Sequence, residues 1–304
     1  MPILRLFCSC YACCQERNDM SSLFNEHGIS RIEDVIFLNA DQLDKSIATL
    51  KRKFPNHKKI GIDCDSNNFL NKKRVINLDF LYDFPHIIHF DLSCLASLES
   101  DTKALYSLAD LEYLQWRSNL PIDIEPFPHL QKLSCVDFGD SRLVSHSVRD
   151  IYVCGYRDLA FLKGMPNVEK LELRDFKNTS LNGIEVLDNL NSLIVKATRS
   201  LIDIHAIQNY CRLRRLEIEC VSKIDWSALF HCPQIKELFL RQVIPTCKFL
   251  DNMPEIHSFV CKEIQDNDLL PIMNASKLSY AYLYKHRRGY NVSKQEFQER
   301  FKQA

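Results

Sequence analysis

Glycine is scarce in this sequence, with seven among 304 residues. Glycine lets a backbone bend tightly around a phosphate or lift a nucleophile out of a strand, and no Gly-rich phosphate loop, nucleophile elbow or HExxH helix occurs. The motifs of nucleotide-dependent and hydrolytic enzymes are absent, so a chain that is not an enzyme and holds no cofactor is expected. Net charge is missing too, with 39 Lys and Arg against 39 Asp and Glu. No global field draws the chain to nucleic acid or an anionic membrane, and electrostatic recognition has to come from local patterning. No stretch reaches the roughly 18 consecutive apolar residues of a membrane span, so no transmembrane segment is expected. Paired CxxC knuckles are lacking as well. Cys8, Cys10, Cys13 and Cys14 crowd the start of the chain without a second ligand pair at a zinc-like distance, and no metal is expected there.

What is present is enough apolar material for a substantial core, 46% of residues, with 26% charged. Thirteen cysteines are many, and most stand singly in apolar runs, as Cys94, Cys135 and Cys261 do. Free thiols in a reducing compartment fit that placement, and a cytoplasmic location is expected. The opening MPILRLFCSCYACC has no basic region before its short apolar run and no small-residue cleavage site, which argues against a secretory signal. A disordered tail or an upstream start before Met20 is the preferred reading of its cysteines. S-acylation, with membrane attachment, and a metal or redox role stay open beside it. Asn178, Asn274 and Asn291 head Asn-x-Ser/Thr sequons at a chance frequency.

The strongest signal is internal repetition. FPHIIHFDL (Phe84 to Leu92), FPHLQKLSC (Phe127 to Cys135), MPNVEKLEL (Met165 to Leu173), CPQIKELFL (Cys232 to Leu240) and MPEIHSFVC (Met253 to Cys261) share the frame apolar-Pro-x-apolar-x-x-apolar-x-apolar. Five further copies keep the spacing without proline, ending at Trp116, Val153, Val195, Ile218 and Leu283. The mean period is about 21 residues. Of forty apolar slots in ten copies, only Ser145 is polar, and the proline phase agrees with the hydrophobic phase. Alternation at the end of each copy, as in Leu171-Glu-Leu173, predicts a short strand sending one side chain inward and the next outward. Apolar pairs between strands, such as Leu159 and Leu162, Ile202 and Ile204, or Trp226 and Leu229, are expected behind the sheet in short helical or irregular turns. No unit buries its own apolar face, so neighbours have to stack.

This pattern resembles the leucine-rich-repeat family, whose signature is Leu-x-x-Leu-x-Leu, over about residues 54 to 285. The short period is most similar to the internalin and phosphatase-regulator types. The resemblance implies an α/β repeat solenoid, a curved array with a parallel concave sheet and short convex segments. One departure is the Asn that the family places three residues after the last strand leucine, present here only as Asn119. Elsewhere that slot holds residues such as Phe138, Phe176, Thr198, Val221, Val243, Ile264 and His286, so apolar packing is expected to replace an asparagine ladder.

The expected organisation is a tail over residues 1–19, an N-terminal cap with an early repeat over 20–74, about ten repeats over 75–285, and a capping helix over 286–304. Asp41 is expected to cap a helix ending near Phe54, and Ser293 with Glu296 has capping-box spacing.

The outward strand slots are the candidate site. The slot between the inward residues holds Asp91, Gln115, Ser134, Tyr152, Glu172, Ile194, Glu217, Phe239, Val260 and Tyr282. The slot after them is rich in bases, with Arg117, Arg174, Lys196, Arg241 and Lys262, and ends at Tyr284. Strands about 4.8 Å apart make Arg174 and Lys196 neighbours, and likewise Arg241 and Lys262. Aromatic anchors beside fixed charges suit a protein-binding patch. The expected site is therefore Arg117, Tyr152, Arg174, Ile194, Lys196, Phe239, Arg241, Val260, Lys262, Tyr282 and Tyr284, and the expected partner is another protein with an acidic and partly apolar surface. A more specific form is an inhibitor or immunity-like protein that occludes a toxin or enzyme, on family analogy. An anion or nucleic-acid binder using Tyr280, Tyr282, Tyr284 and Lys285 to Arg288 is the rival, disfavoured by the interleaved Glu172, Glu217, Glu219 and Glu237. His86, His89 and Asp91 are ligand types that strand geometry keeps from converging on a metal.

Overall fold

A computed structural model describes residues 24–64, 74–98, 102–118, 120–136 and 141–301. The tail with its cysteines, Asn119 and Phe138 lie outside the described residues. The chain divides into two compact units, Met1–Cys154 with Lys163–Met165, and Gly155–Leu162 with Pro166–Ala304.

In the first unit an antiparallel pair, β1 (Ile29–Ile32) and β2 (Val35–Asn39), starts a sheet that continues in parallel. It runs through β3 (Lys59–Asp63), β5 (His89–Leu98), β6 (Tyr113–Ser118), β7 (Lys132–Val136) and β8 (Asp150–Cys154), with β4 (Arg74–Ile76) paired to the far end of β5. Helix α1 (Leu43–Lys53) fills the place where the apolar spacing predicts one. Asp41 is not its cap. Asn39 caps the turn before it, its side chain accepting from the Asp41 N–H at 2.8 Å, because the chain enters through a 3-10 turn over Ala40–Gln42.

The second unit is a parallel ladder of six strands: β9 (Lys170–Arg174), β10 (Ser192–Thr198), β11 (Arg215–Cys220), β12 (Glu237–Ile244), β13 (Ser258–Ile264) and β14 (Tyr280–Leu283). Inward residues pair in register, Leu193 with Leu216, Leu216 with Leu238, Leu238 with Phe259, and Phe259 with Ala281, and all of these are buried. Removing those columns from water is the main force that stacks one repeat on the next. The repeat prolines occupy the second position of a β-turn just before each strand. At Pro85, Pro128, Pro233 and Pro254 the preceding carbonyl accepts from the N–H three residues on, at 3.1 to 3.3 Å. Proline's fixed φ suits that position, and no ladder hydrogen bond is lost there.

Behind the strands the chain forms short turns, most of them 3-10, with a one-turn helix, α2 (Leu270–Asn274), after β13, and most open on a polar residue whose side chain caps the N–H two residues on. The caps are Asn77, Asp123, Asp158, Ser180, Asp203, Asp225, Thr246 and Asp268, at 2.7 to 3.1 Å. This ladder answers in part for the missing asparagines, and Thr198 adds to it by donating to the Phe176 carbonyl at 2.7 Å. Apolar packing explains less than expected. Phe176 and Ile264 are buried, but Val221 is 81% and Val243 38% exposed. Of the apolar pairs behind the sheet, Ile202 is exposed, and Leu201, Ile204 and Ile207 take the interior. Asp225→Ala removes a cap and is expected to lower the thermal midpoint. An unchanged midpoint would show the ladder to be ornamental. At the end of this unit α3 (Lys294–Phe301) carries a reciprocal capping box, the Ser293 N–H donating to Glu296 at 2.9 Å and the Glu296 N–H to Ser293 Oγ at 3.2 Å. Phe297 and Phe301 are buried.

Candidate protein-binding face

Strand alternation places the outward slots on one face of each ladder, but the slots differ widely in burial. Long side chains from adjacent strands fold over the shorter ones, so residues expected to be free are covered: Asp91, Ser134, Glu217 and Val260 are all buried.

In the first unit Gly61 faces outward, and the Phe37 ring lies across it so closely that an added Cβ would meet the ring at 2.5 Å. Beside it, Ser93 Oγ donates to Asp91 at 2.5 Å and accepts from the Gln115 amide at 3.0 Å, while Tyr113 donates to Gln115 at 3.2 Å. His89 stacks on Tyr113 with ring centres 4.1 Å apart. Burial, with Lys59 and Lys132 nearby, lowers the His89 pKa to about 4, so this imidazole is neutral at pH 7. The folded chain then resists a proton that the unfolded chain accepts near pH 6.5. Stability should fall as pH drops from about 6.5 toward 4 and level off below. His89→Asn is expected to flatten that part of the curve, measured as thermal midpoint against pH; an unchanged slope would refute the assignment. His86 packs against Phe84 instead of joining His89 and Asp91, and no group of three or more His, Cys, Asp or Glu suited to a metal occurs among the described residues. Arg117 and Tyr152 lie on this unit, both half-buried.

The second unit brings the other candidates together around a residue that the sequence reading treated as a counter-argument. Glu217 is 2% exposed and holds three cations: Lys196 at 3.2 Å, Arg215 at 3.0 Å and Arg241 at 3.2 Å. Burial alone would raise its pKa, but these cations outweigh burial and hold the carboxyl below the usual value of 4.5. Arg215 also pairs with Glu237 at 2.9 Å and lies over the Phe239 ring at 4.8 Å. Two of the five bases of the column, Lys196 and Arg241, are thus held by an acid of the chain itself. Arg174, mostly buried, stands 3.7 Å from Glu172 and pairs in register with Lys196.

Toward β14 the face opens. Phe239, Val260 and Tyr282 align in register across three strands, and half-buried Ile194 aligns with Glu217 beyond them. Tyr282 is 39% and Tyr284 51% exposed, their rings edge-on at 5.1 Å, with Arg241 Nη1 3.5 Å from the Tyr284 hydroxyl. Lys262 is exposed. Arg241 and Lys262 are not simple neighbours, because the register shifts between Leu240 and Val243 and sets Arg241 and Gln242 against Lys262. Lys285 and Arg287 pair with Glu263 at 2.9 and 3.3 Å. Among the cysteines whose side chains are described, seven are buried and Cys211 is exposed, and none of them forms a disulfide among the described residues. Burial pushes the Cys232 thiol up to about 12, which keeps it protonated and inert.

Parallel strands, β-turns and capped turns, repeating every 18 to 24 residues from β5 to β8 and every 21 to 23 from β9 to β14, define a leucine-rich-repeat α/β solenoid. An internalin from Listeria monocytogenes has a similar structure at 20% identity, with a TM-score of 0.52, over 77% of this chain and 69% of that one. A leucine-rich-repeat protein from Leptospira interrogans is similar at 13% identity and a TM-score of 0.56, over 96% of this chain and 84% of that one. These likenesses identify the fold as that of the leucine-rich-repeat proteins. No protein-family model matches the sequence, and no curated protein matches it. No helix among the described residues is long and apolar enough to cross a membrane.

Proposed function

We propose that this chain is a non-catalytic protein-binding module that holds its partner on the outward face of β9 to β14. The observation that carries the reading is the aligned stripe Phe239, Val260 and Tyr282, continued by exposed Tyr284 and flanked by Arg241 and Lys262. Tyrosines beside cations are the side chains that most often anchor interfaces, and packed partner atoms shield them from water. The partner's surface is partly apolar, to cover that stripe, and partly acidic. Ile194, Lys196 and Arg174 border the site, and Arg117 and Tyr152 are further candidates on the other unit. A cytoplasmic setting belongs to this reading, supported by the buried free thiols. So does a division into caps over residues 20–74 and 286–304 around repeats over 75–285. An inhibitor or immunity-like role is its more specific form.

The test is affinity capture from cell extract with the intact chain and the Phe239→Ala, Tyr282→Ala double variant, quantified by mass spectrometry. At least one protein should fall about tenfold or more in recovery with the double variant. Val221→Ser, which removes an apolar side chain from another exposed position, should leave its recovery unchanged. Equal recovery with both variants would refute the face. Reversing the whole basic column is the poorer experiment, because Lys196 and Arg241 also hold Glu217.

A further inference from the structure

The basic column that borders this face does not act as one surface. At its β9 to β10 end both cations of the column have an acid of the chain beside them: Arg174 has Glu172, and Lys196 shares Glu217 with Arg215. Glu217 is nearly sealed from solvent, so an incoming acid would have to displace a carboxylate already held by three cations. Toward β14 the balance reverses. Arg241 is the third cation on Glu217, Lys285 and Arg287 share Glu263, and Lys262 has no ion pair among the described residues. On this face, from β12 to Arg287, four cations, Arg241, Lys262, Lys285 and Arg287, therefore stand against two acids, Glu237 and Glu263, with Glu219 beside them on β11. The exposed side chains there that no carboxylate holds, Lys262 with Tyr282 and Tyr284, offer hydrogen-bond donors with the apolar stripe beside them.

We propose that acid recognition on this face is confined to Lys262 with Tyr282 and Tyr284, and that the occupant is an acidic protein segment whose carboxylates meet Lys262 while a neighbouring apolar side chain lies against Tyr282. This rests on the protein-binding reading and narrows it to one end of the face. A carboxylate-bearing segment fits better than a nucleic-acid strand. The apolar stripe needs apolar side chains to cover it, and a phosphate backbone continued along the sheet would run into Glu237 and Glu219. Glu217 is here a positioning residue. It holds Arg241 at the border of the seat and cancels the cations beyond it.

The probe is a fluorescein-labelled copolymer of glutamate and tyrosine, compared by anisotropy with a lysine–tyrosine copolymer and a short oligothymidine at about 0.1 M salt. The glutamate–tyrosine copolymer should bind the intact chain best. Lys262→Glu and Tyr282→Ala should each weaken it about tenfold or more, while Arg174→Gln and Lys248→Glu, the latter behind the sheet, should change it less than about threefold. Thermal midpoints equal to that of the unaltered chain exclude unfolding as the cause. Tighter binding of oligothymidine, equal loss with Arg174→Gln, or no effect of Lys262→Glu would each overturn the proposal. If Lys262→Glu also leaves capture of the cellular partner intact while the Phe239→Ala, Tyr282→Ala variant abolishes it, the protein-binding reading stands and the acidic seat falls.

Discussion

Phe259→Ala should be among the most destabilising single changes in the second unit, at about 3–5 kcal/mol. Phe259 is fully buried on β13, between Leu238 and Ala281 in the adjacent strands. Its ring meets Phe249 edge-on at 6.3 Å, and Phe249 meets Phe230 at 6.1 Å, so one aromatic chain links the sheet to two of the turns behind it. Removing the ring loses its transfer energy and leaves a void that neither Ala281 nor the backbone turns can close. Denaturant midpoints of the two proteins measure the effect. Tyr282→Ala, on the opposite face of the next strand, serves as the comparison and should cost less than about 1 kcal/mol. A loss at Phe259 no larger than that at Tyr282 would mean that the inward columns do not form the core.

Glu217→Ala should be nearly as costly, at about 2–3 kcal/mol, although the residue stands on an outward slot. Breaking a buried pair by removing one partner costs roughly 3–5 kcal/mol because a charge is left uncompensated, and here Arg215 and Arg241 recover part of that by reaching water, being 40% and 44% exposed. Glu219→Ala, two residues on and exposed, should change stability by less than about 0.5 kcal/mol. The pH dependence separates charge from packing. With its folded pKa below 4.5, Glu217 contributes stability that is present above about pH 4.5 and lost as pH falls through the lower folded value. Glu217→Gln keeps the shape and should be less stable than the unaltered chain at pH 7, with the gap closing as pH falls through the lowered folded value. A gap that persists in acid would show that the loss is packing alone.

These two residues mark where the sequence was legible. Phe259 stands in a column that repeats with the strand period. Burial admits little but apolar residues there, so the column could be read by counting. The β-turn prolines were readable for a similar reason, since one backbone geometry recurs at one phase. The capping ladder was equally periodic, a short polar residue followed by an apolar one and another three places on, as in Asp203-Ile-His-Ala-Ile207 and Asp225-Trp-Ser-Ala-Leu229. It was missed because short polar residues between strands look like ordinary loop composition. The outward face was only partly legible. Alternation gives the direction of a side chain from its own Cα, whereas burial depends on what leans over it from strands about 22 residues away in the chain. Glu217 read as an exposed acid opposing a basic surface, and the structure makes it the centre of that surface. Val260 was expected exposed and is covered between Phe239 and Tyr282, and Asp91 lies beneath a hydrogen-bonded cover of Ser93 and Gln115.

The capped turns behind the strands have a consequence for how this chain can change. Ser180 donates to Asp203 at 3.2 Å, and His205 joins Asp203 at 2.8 Å and Ser227 at 3.1 Å, so successive repeats are fastened to one another by polar side chains remote from the outward slots. Residues that hold the scaffold together and the residues proposed to meet a partner are therefore largely different sets. Ile194, Lys262, Tyr282 and Tyr284 are free to drift toward new specificities while the turns and inward columns stay fixed. Glu217, which belongs to both sets, is the position at which a change of partner would be paid for in stability.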